Sequence, residues 1–117
     1  MTIREVATLL HAEVLCCEKL LDTEVHSACG SDMMSDVLAF VKDQAVLLTG
    51  LVNLQVIRTA EMMDMKCVVF IRGKRPDPAM IDFAITKGIV LLCSNMRMYP
   101  ACGILYKNGL GAGEITV

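Results

Sequence analysis

Three apolar runs of nearly equal spacing constrain this 117-residue chain more than any other feature. They begin at Gln44 (QAVLLTG), Cys67 (CVVFIRG) and Ile89 (IVLLCSN), 23 and 22 residues apart. Each is short, rich in branched side chains and apolar without alternation, the pattern of a strand covered on both faces. A segment of helical period follows each one. Asn53 to Met63 places Leu54, Ile57, Ala60 and Met63 inward and Gln55, Arg58 and Asp64 outward. Asp77 to Lys87 opens with an N-cap aspartate and with Pro78 at the first helical position, and Gly88 stops it. Pro100 is tolerated only in a first turn, so the last helix is expected from about Tyr99 to Lys107, ended by Asn108-Gly109. Strand–helix repeats with short loops predict a parallel sheet with right-handed crossovers and helices on its faces.

The first third of the chain is less regular. Thr2 and Glu5 stand in capping-box register, and Ile3, Val6, Leu9 and Leu10 form the stripe of a short opening helix. Extended runs are expected at Glu13 to Cys16 and Glu24 to Cys29, with a polar connector around Glu18 to Thr23. After Gly30-Ser31-Asp32, the residues Met33, Met34, Val37, Leu38 and Val41 recur at helical spacing, leaving Asp32, Asp36 and Lys42 outside. The two extended runs should join the sheet, one of them antiparallel. The tail GLGAGEITV should add an edge strand or fray. The expected fold class is α/β: a three-layer α/β/α sandwich with a mostly parallel or mixed central sheet, formed by residues 1–117 as a single domain.

Composition narrows the function. A formal charge of -2 excludes the broadly basic surface that nucleic-acid binding needs. No apolar segment approaches the ~18 residues required to span a bilayer. The start MTIREVATLL carries Arg4 and Glu5 and lacks the apolar core of a signal peptide, so a cytoplasmic location is expected. Six cysteines fit that compartment as reduced thiols; there is no Cys-x-x-Cys, and neither a metal nor a cofactor is expected. Hydrophobic residues make up 55% of the chain and mean hydropathy is +0.55. So much apolar side chain in a small domain requires either a thick core or a buried subunit interface, and a homodimer is expected.

In such a sheet the carboxyl ends of the strands open onto one rim, where ligands bind. Three loops should meet there: Thr49-Gly50-Leu51-Val52-Asn53, Arg72-Gly73-Lys74-Arg75 and Cys93-Ser94-Asn95. Helix N-termini behind them present free N–H groups. Thr49, Gly50, Arg72, Gly73, Lys74, Arg75, Ser94 and Asn95 are therefore the candidate anion site, with a nucleotide or phosphorylated metabolite as the natural ligand. The same charges equally suit a water-facing loop, and Thr49-Gly50 an ordinary strand-ending turn. GxxxxGK[ST] and GxGxxG are both missing. His11 and His26 lie far from these loops in sequence, and Ser94 and Cys93 have no base partner in view, so no catalytic residue is assigned. Asp32 and Asp36, four residues apart, could hold a cation or be plain solvated surface.

The blocks VLLTGLVNLQVIRTAEMM, CVVFIRGKRPDPAMIDFA and KGIVLLCSNMRMYPACGIL, preceded by an opening helix and a Gly-Ser-Asp-Met-Met-Ser helix start, resemble the repeating strand–turn–helix units of the DRTGG domain family. The likeness runs over essentially the whole chain. The family's Gly-Asp-Arg is replaced by Thr49-Gly50-Leu51-Val52-Asn53, and its Thr-Gly-Gly by Arg72-Gly73-Lys74. The resemblance implies a fold similar to the N-terminal domain of HPr kinase. It also implies a role in regulation and dimerisation rather than catalysis, since DRTGG domains are accessory parts of phosphotransacetylases and of pyrophosphatases carrying CBS domains. Free-standing versions occur in anaerobes, some beside iron-only hydrogenase genes, which implies a protein partner in a regulatory or hydrogenase-related system.

Overall fold

The computed structural model describes residues 1–40 and 45–113. The expectations for Val41, Lys42 and Gln44, and for the last four residues of the tail, lie outside the described residues. A five-stranded sheet runs in the order β1-β5-β4-β3-β2. Its strands are β1 (Glu13–Cys16), β2 (Ala28–Gly30), β3 (Val46–Thr49), β4 (Cys67–Phe70) and β5 (Val90–Cys93). Neighbours β2 to β5 pair in parallel, and β1 closes one edge antiparallel to β5, with an irregularity between Val14 and Cys16. The sheet is mixed, as one of the two expected forms required.

Five α-helices among the described residues cover it: α1 (Ile3–Leu9), α2 (Met34–Phe40), α3 (Leu54–Met62), α4 (Pro78–Lys87) and α5 (Met98–Lys107). Alternation along the strands decides which face each side chain reaches. Val46, Leu48, Cys67, Val69, Val90 and Leu92 pack against Ile3, Val6 and Leu10 of α1 and its end, and against Ala101 and Leu105 of α5. Leu47, Val68, Phe70 and Leu91 pack on the other face, against Met34, Val37, Val56, Ile57, Ala60, Met80 and Ala84 of α2, α3 and α4. This is a three-layer α/β/α sandwich. All residues of β3, β4 and β5 are buried, which accounts for their unbroken apolar sequence. Each large apolar side chain so enclosed is worth about 1.5–3 kcal/mol of transfer free energy. No helix among the described residues is long and apolar enough to cross a membrane.

Local signals set the helix ends. The Thr2 hydroxyl accepts the Glu5 N–H while the Glu5 carboxylate accepts the Thr2 N–H, completing the capping box. Asp77 accepts the Met80 N–H at 2.9 Å, and Gly88 leaves α4 in the left-handed conformation.

Three expectations shift. The extended run at Glu24 to Cys29 enters the sheet only at Ala28. Before that, Val25 donates to the Met1 carbonyl and Glu24 bridges to Thr2, so this backbone is satisfied by the chain start instead. On α3 the buried residues are Val56, Ile57, Thr59 and Ala60, while Leu54 is partly exposed. The helix packs against both α2 and α4, which widens and rotates its inward arc. Of the stripe expected on α2, Met34 and Val37 are buried and Met33 and Leu38 are exposed.

That rotation buries the Thr59 hydroxyl, which has no hydrogen-bond partner among the described residues. Replacing it by a methyl removes an unsatisfied polar atom, so Thr59→Val should stabilise the protein by about 1 kcal/mol. Asp77→Ala should do the reverse by about the same amount, through loss of the α4 cap. Urea denaturation midpoints of the two variants test the opposite signs.

Candidate functional site

Register brings the three loops together. Thr49 pairs with Phe70, and Phe70 with Cys93, so β3, β4 and β5 end level and their carboxyl ends form one rim. Behind it begin α3, α4 and α5. The N-caps of α3 and α5, Asn53 and Arg97, make no side-chain cap; the Val56 N–H bonds back to the Asn53 carbonyl and Pro100 carries none, so among the described residues the first-turn N–H groups left to solvent or ligand are those of Leu54, Gln55, Met98 and Tyr99.

The centre of the rim is a residue that the sequence placed outside it. Ser31 extends the β2–β3 pairing by donating its N–H to the Leu48 carbonyl at 3.0 Å, and this delivers Asp32 to the end of β3. Asp32 Oδ1 accepts the Gly50 N–H at 2.6 Å and the Thr49 hydroxyl at 3.2 Å. Its Oδ2 faces Arg72 Nη2 at 3.5 Å. The Thr49 oxygen in turn accepts the Leu51 N–H. The Gly50 N–H, followed by the Thr49 hydroxyl and the Arg72 charge, holds the Asp32 carboxyl below its ordinary 3.8 against an opposing push from partial burial. Arg72 lies across Gly50 so closely that a Cβ there would collide with its guanidinium.

The basic loop is stitched to its neighbours through its backbone. Arg72 and Gly73 both have positive φ, 59° and 68°, and Lys74 donates its N–H to the Ile71 carbonyl across them, the form of a type I′ turn. A left-handed arginine costs about 1–2 kcal/mol. The turn is held by bonds from the Arg72 N–H to the Met96 carbonyl at 2.7 Å and from the Gly73 N–H to the Ser94 carbonyl at 2.9 Å. These two N–H groups are therefore spent on the loop after β5 and do not face a ligand. The positive φ favours glycine at this position; a Cβ on Gly73 would stand 3.0 Å from the exposed Asn95 side-chain oxygen, which would have to give way slightly.

The remaining candidates fall into different roles. Arg75 forms a two-pronged ion pair with Glu13 of β1, at 2.9 and 3.2 Å, which tilts Glu13 toward the charged form. Ser94 is buried; its hydroxyl donates to the Leu10 carbonyl at 2.7 Å and accepts the Met96 N–H, tying the rim to the end of α1. Asn95 is exposed beside Gly73. Lys74 is exposed and its ammonium has no partner among the described residues. Arg97, absent from the sequence-based set, is exposed and equally unpaired at the start of α5. An uncapped position before Met-Tyr-Pro was the signal that could have found it.

His11 and His26 are exposed in the N-terminal third. The Cys93 thiol donates to the Lys74 carbonyl at 3.1 Å. Burial raises the Cys29 thiol to about 11 and pushes Cys16 and Cys67 up as well. Among the described residues no three histidine, cysteine or acidic side chains are grouped to hold a metal ion. Asp32 is turned to the rim, while Asp36 is exposed on α2.

Two measurements follow from these environments. Because the folded-state value of Asp32 is depressed, its stabilising contribution is complete above its ordinary value and is lost as pH falls through the folded one. Asp32→Asn should therefore lower the urea midpoint at neutral pH, with the difference from wild type closing as pH falls through the depressed folded-state value. Raised thiols are protonated at neutral pH, so iodoacetamide should modify Cys16, Cys29 and Cys67 slowly in the native protein and all six cysteines rapidly in urea.

No protein-family model matches the chain, and no curated protein sequence matches it. A solved structure does. The CBS and DRTGG domains of the regulatory region of Clostridium perfringens pyrophosphatase, complexed with the activator diadenosine tetraphosphate, align with a TM-score of 0.70 at 10% sequence identity. The alignment covers 99% of this chain and 53% of that one, so the chain spans about half the length of its structural neighbour. At such low identity the likeness is one of backbone architecture: the chain has a DRTGG-like fold.

Proposed function

We propose that this chain is a non-catalytic regulatory or interaction module, a single domain over residues 1–117 that forms a homodimer and senses an anionic metabolite, a nucleotide foremost. The observation that carries the reading is the rim. Donors from Thr49, Gly50 and Arg72 converge on a single carboxylate, Lys74 in the same loop as Arg72 and Arg97 at the start of α5 are exposed with no ion-pair partner among the described residues, and two helices start behind the rim without side-chain caps. Such an arrangement favours an anion of several charges. Its DRTGG-like fold, shared with a regulatory region that carries a dinucleotide activator, supports the same reading. Lys74, Arg72 and Gly50 would contact the ligand; Arg75, Gly73, Ser94 and Asn95 would hold the loops in place.

Association is supported by α5. Tyr99 and Tyr106, the chain's two tyrosines, are 90% and 64% exposed on its outer side, flanking Gly103. Aromatic side chains presented in this way are enriched where subunits meet.

Thermal-shift titration with adenine and guanine nucleotides, diadenosine tetraphosphate included, tests sensing. A ligand at about 100 times its Kd adds about 2.7 kcal/mol, a rise of several degrees in Tm. The rise should vanish in Arg72→Ala and Lys74→Ala and persist in Arg75→Ala, whose guanidinium is turned to Glu13. A flat response to every nucleotide overturns sensing, and turnover of any of them overturns the non-catalytic reading. Light scattering at tens of micromolar should return twice the 12.8 kDa chain mass, with Tyr99→Glu shifted toward the monomer.

A further inference from the structure

The rim already contains an anion. Three donors of different origin converge on the Asp32 carboxylate: a backbone N–H from Gly50, a hydroxyl from Thr49 and a guanidinium from Arg72. A backbone N–H, a hydroxyl and an arginine are the groups proteins aim at phosphoryl oxygens. Asp32 is not locked in. Its side chain is 46% exposed, its contact with Arg72 is long at 3.5 Å, and it sits in the short connection between β2 and α2.

We infer that Asp32 is a built-in competitor: its carboxylate occupies the cradle that a phosphoryl group takes, and ligand binding displaces it. This rests on the reading of the rim as an anion site and adds the regulation of that site. Displacement has a structural consequence. Asp32 is the clasp between the β2–α2 connection and the ends of β3 and β4, and α2 follows it directly. An anion that takes over Gly50, Thr49 and Arg72 releases the start of α2 from the rim, while Met34 and Val37 keep the helix seated on the core. The bound and free states then differ at α2, on the surface beside α3.

The test is calorimetric titration of inorganic phosphate, pyrophosphate and ATP into wild type, Asp32→Asn, Asp32→Ala, Arg72→Ala and the double variant Asp32→Ala/Arg72→Ala, with folding confirmed by circular dichroism. Asp32→Asn keeps an acceptor for Gly50 and Thr49 while losing the charge, so it serves if Asp32→Ala does not fold. Removal of the competitor should tighten binding at least about tenfold in Asp32→Ala and by a smaller factor in Asp32→Asn, a gain abolished by adding Arg72→Ala. Tightening for all three ligands assigns the cradle to a bare phosphoryl group, and tightening for ATP alone assigns it to a nucleotide; both support displacement. Arg72-dependent binding to wild type that is no tighter in either Asp32 variant overturns displacement and leaves the anion site standing. No binding to any folded variant overturns both.

Discussion

The in-register parallel pairing of β3, β4 and β5 is the constraint from which the rest of the molecule follows. These strands are buried on both faces, so each must be covered twice, and the helices that return the chain supply the cover. Level pairing at Thr49, Phe70 and Cys93 by itself makes the three following loops neighbours. A slip of one residue in any pairing would turn Leu47, Val68 and Leu91 to the wrong helices and separate the loops at once. Core and rim are therefore set by the same register, and damage to the first reaches the second.

The rim loops nevertheless do not rest on the strands alone. The turn at Arg72-Gly73 has two positive φ values, one of them at a non-glycine residue, and it persists because two of its N–H groups bond to the loop after β5. Ser94 continues the chain of contacts to the end of α1, and Arg75 to β1. Strain at one position is thus offset by bonds spread over three elements, which is the usual condition for a strained backbone to survive. The same bonds remove the backbone of this loop from ligand recognition. Side chains, the Gly50 amide and the uncapped helix starts of α3 and α5 are what the rim has left to offer.

Much of the architecture was legible in the chain. Runs without alternation marked the doubly covered strands, Asp77-Pro78 and Gly88 bounded α4, and Thr2 with Glu5 capped α1, because each of these signals is local. What escaped was non-local. Asp32 looks like the solvent face of a helix start in sequence, and only the β2–β3 pairing, seventeen residues away from Thr49 along the chain, reveals it as the hub of the rim. Glu13 as the partner of Arg75 lies 62 residues distant, beyond any periodicity. The inward arc of α3 was misplaced for a related reason: amphipathic spacing assumes one buried face, and a helix wedged between two others has a wider one. Thr59 is the residue caught by that difference.

Charge compensation then decides what kind of anion the rim can select. Of the four cationic side chains on these loops, Arg75 is matched by Glu13 and Arg72 by Asp32, while Lys74 and Arg97 have no ion-pair partner among the described residues. On the proposed reading a single carboxylate arriving from solvent gains little, since Asp32 already fills the point where the Gly50, Thr49 and Arg72 donors converge. A group carrying two or more charges differs in kind. It can displace Asp32 from the cradle and at the same time neutralise the unpaired lysine and arginine beside the uncapped helix starts. On the proposed reading the internal carboxylate sets a threshold of charge for entry to the rim, and phosphoryl compounds are among the metabolites that exceed it.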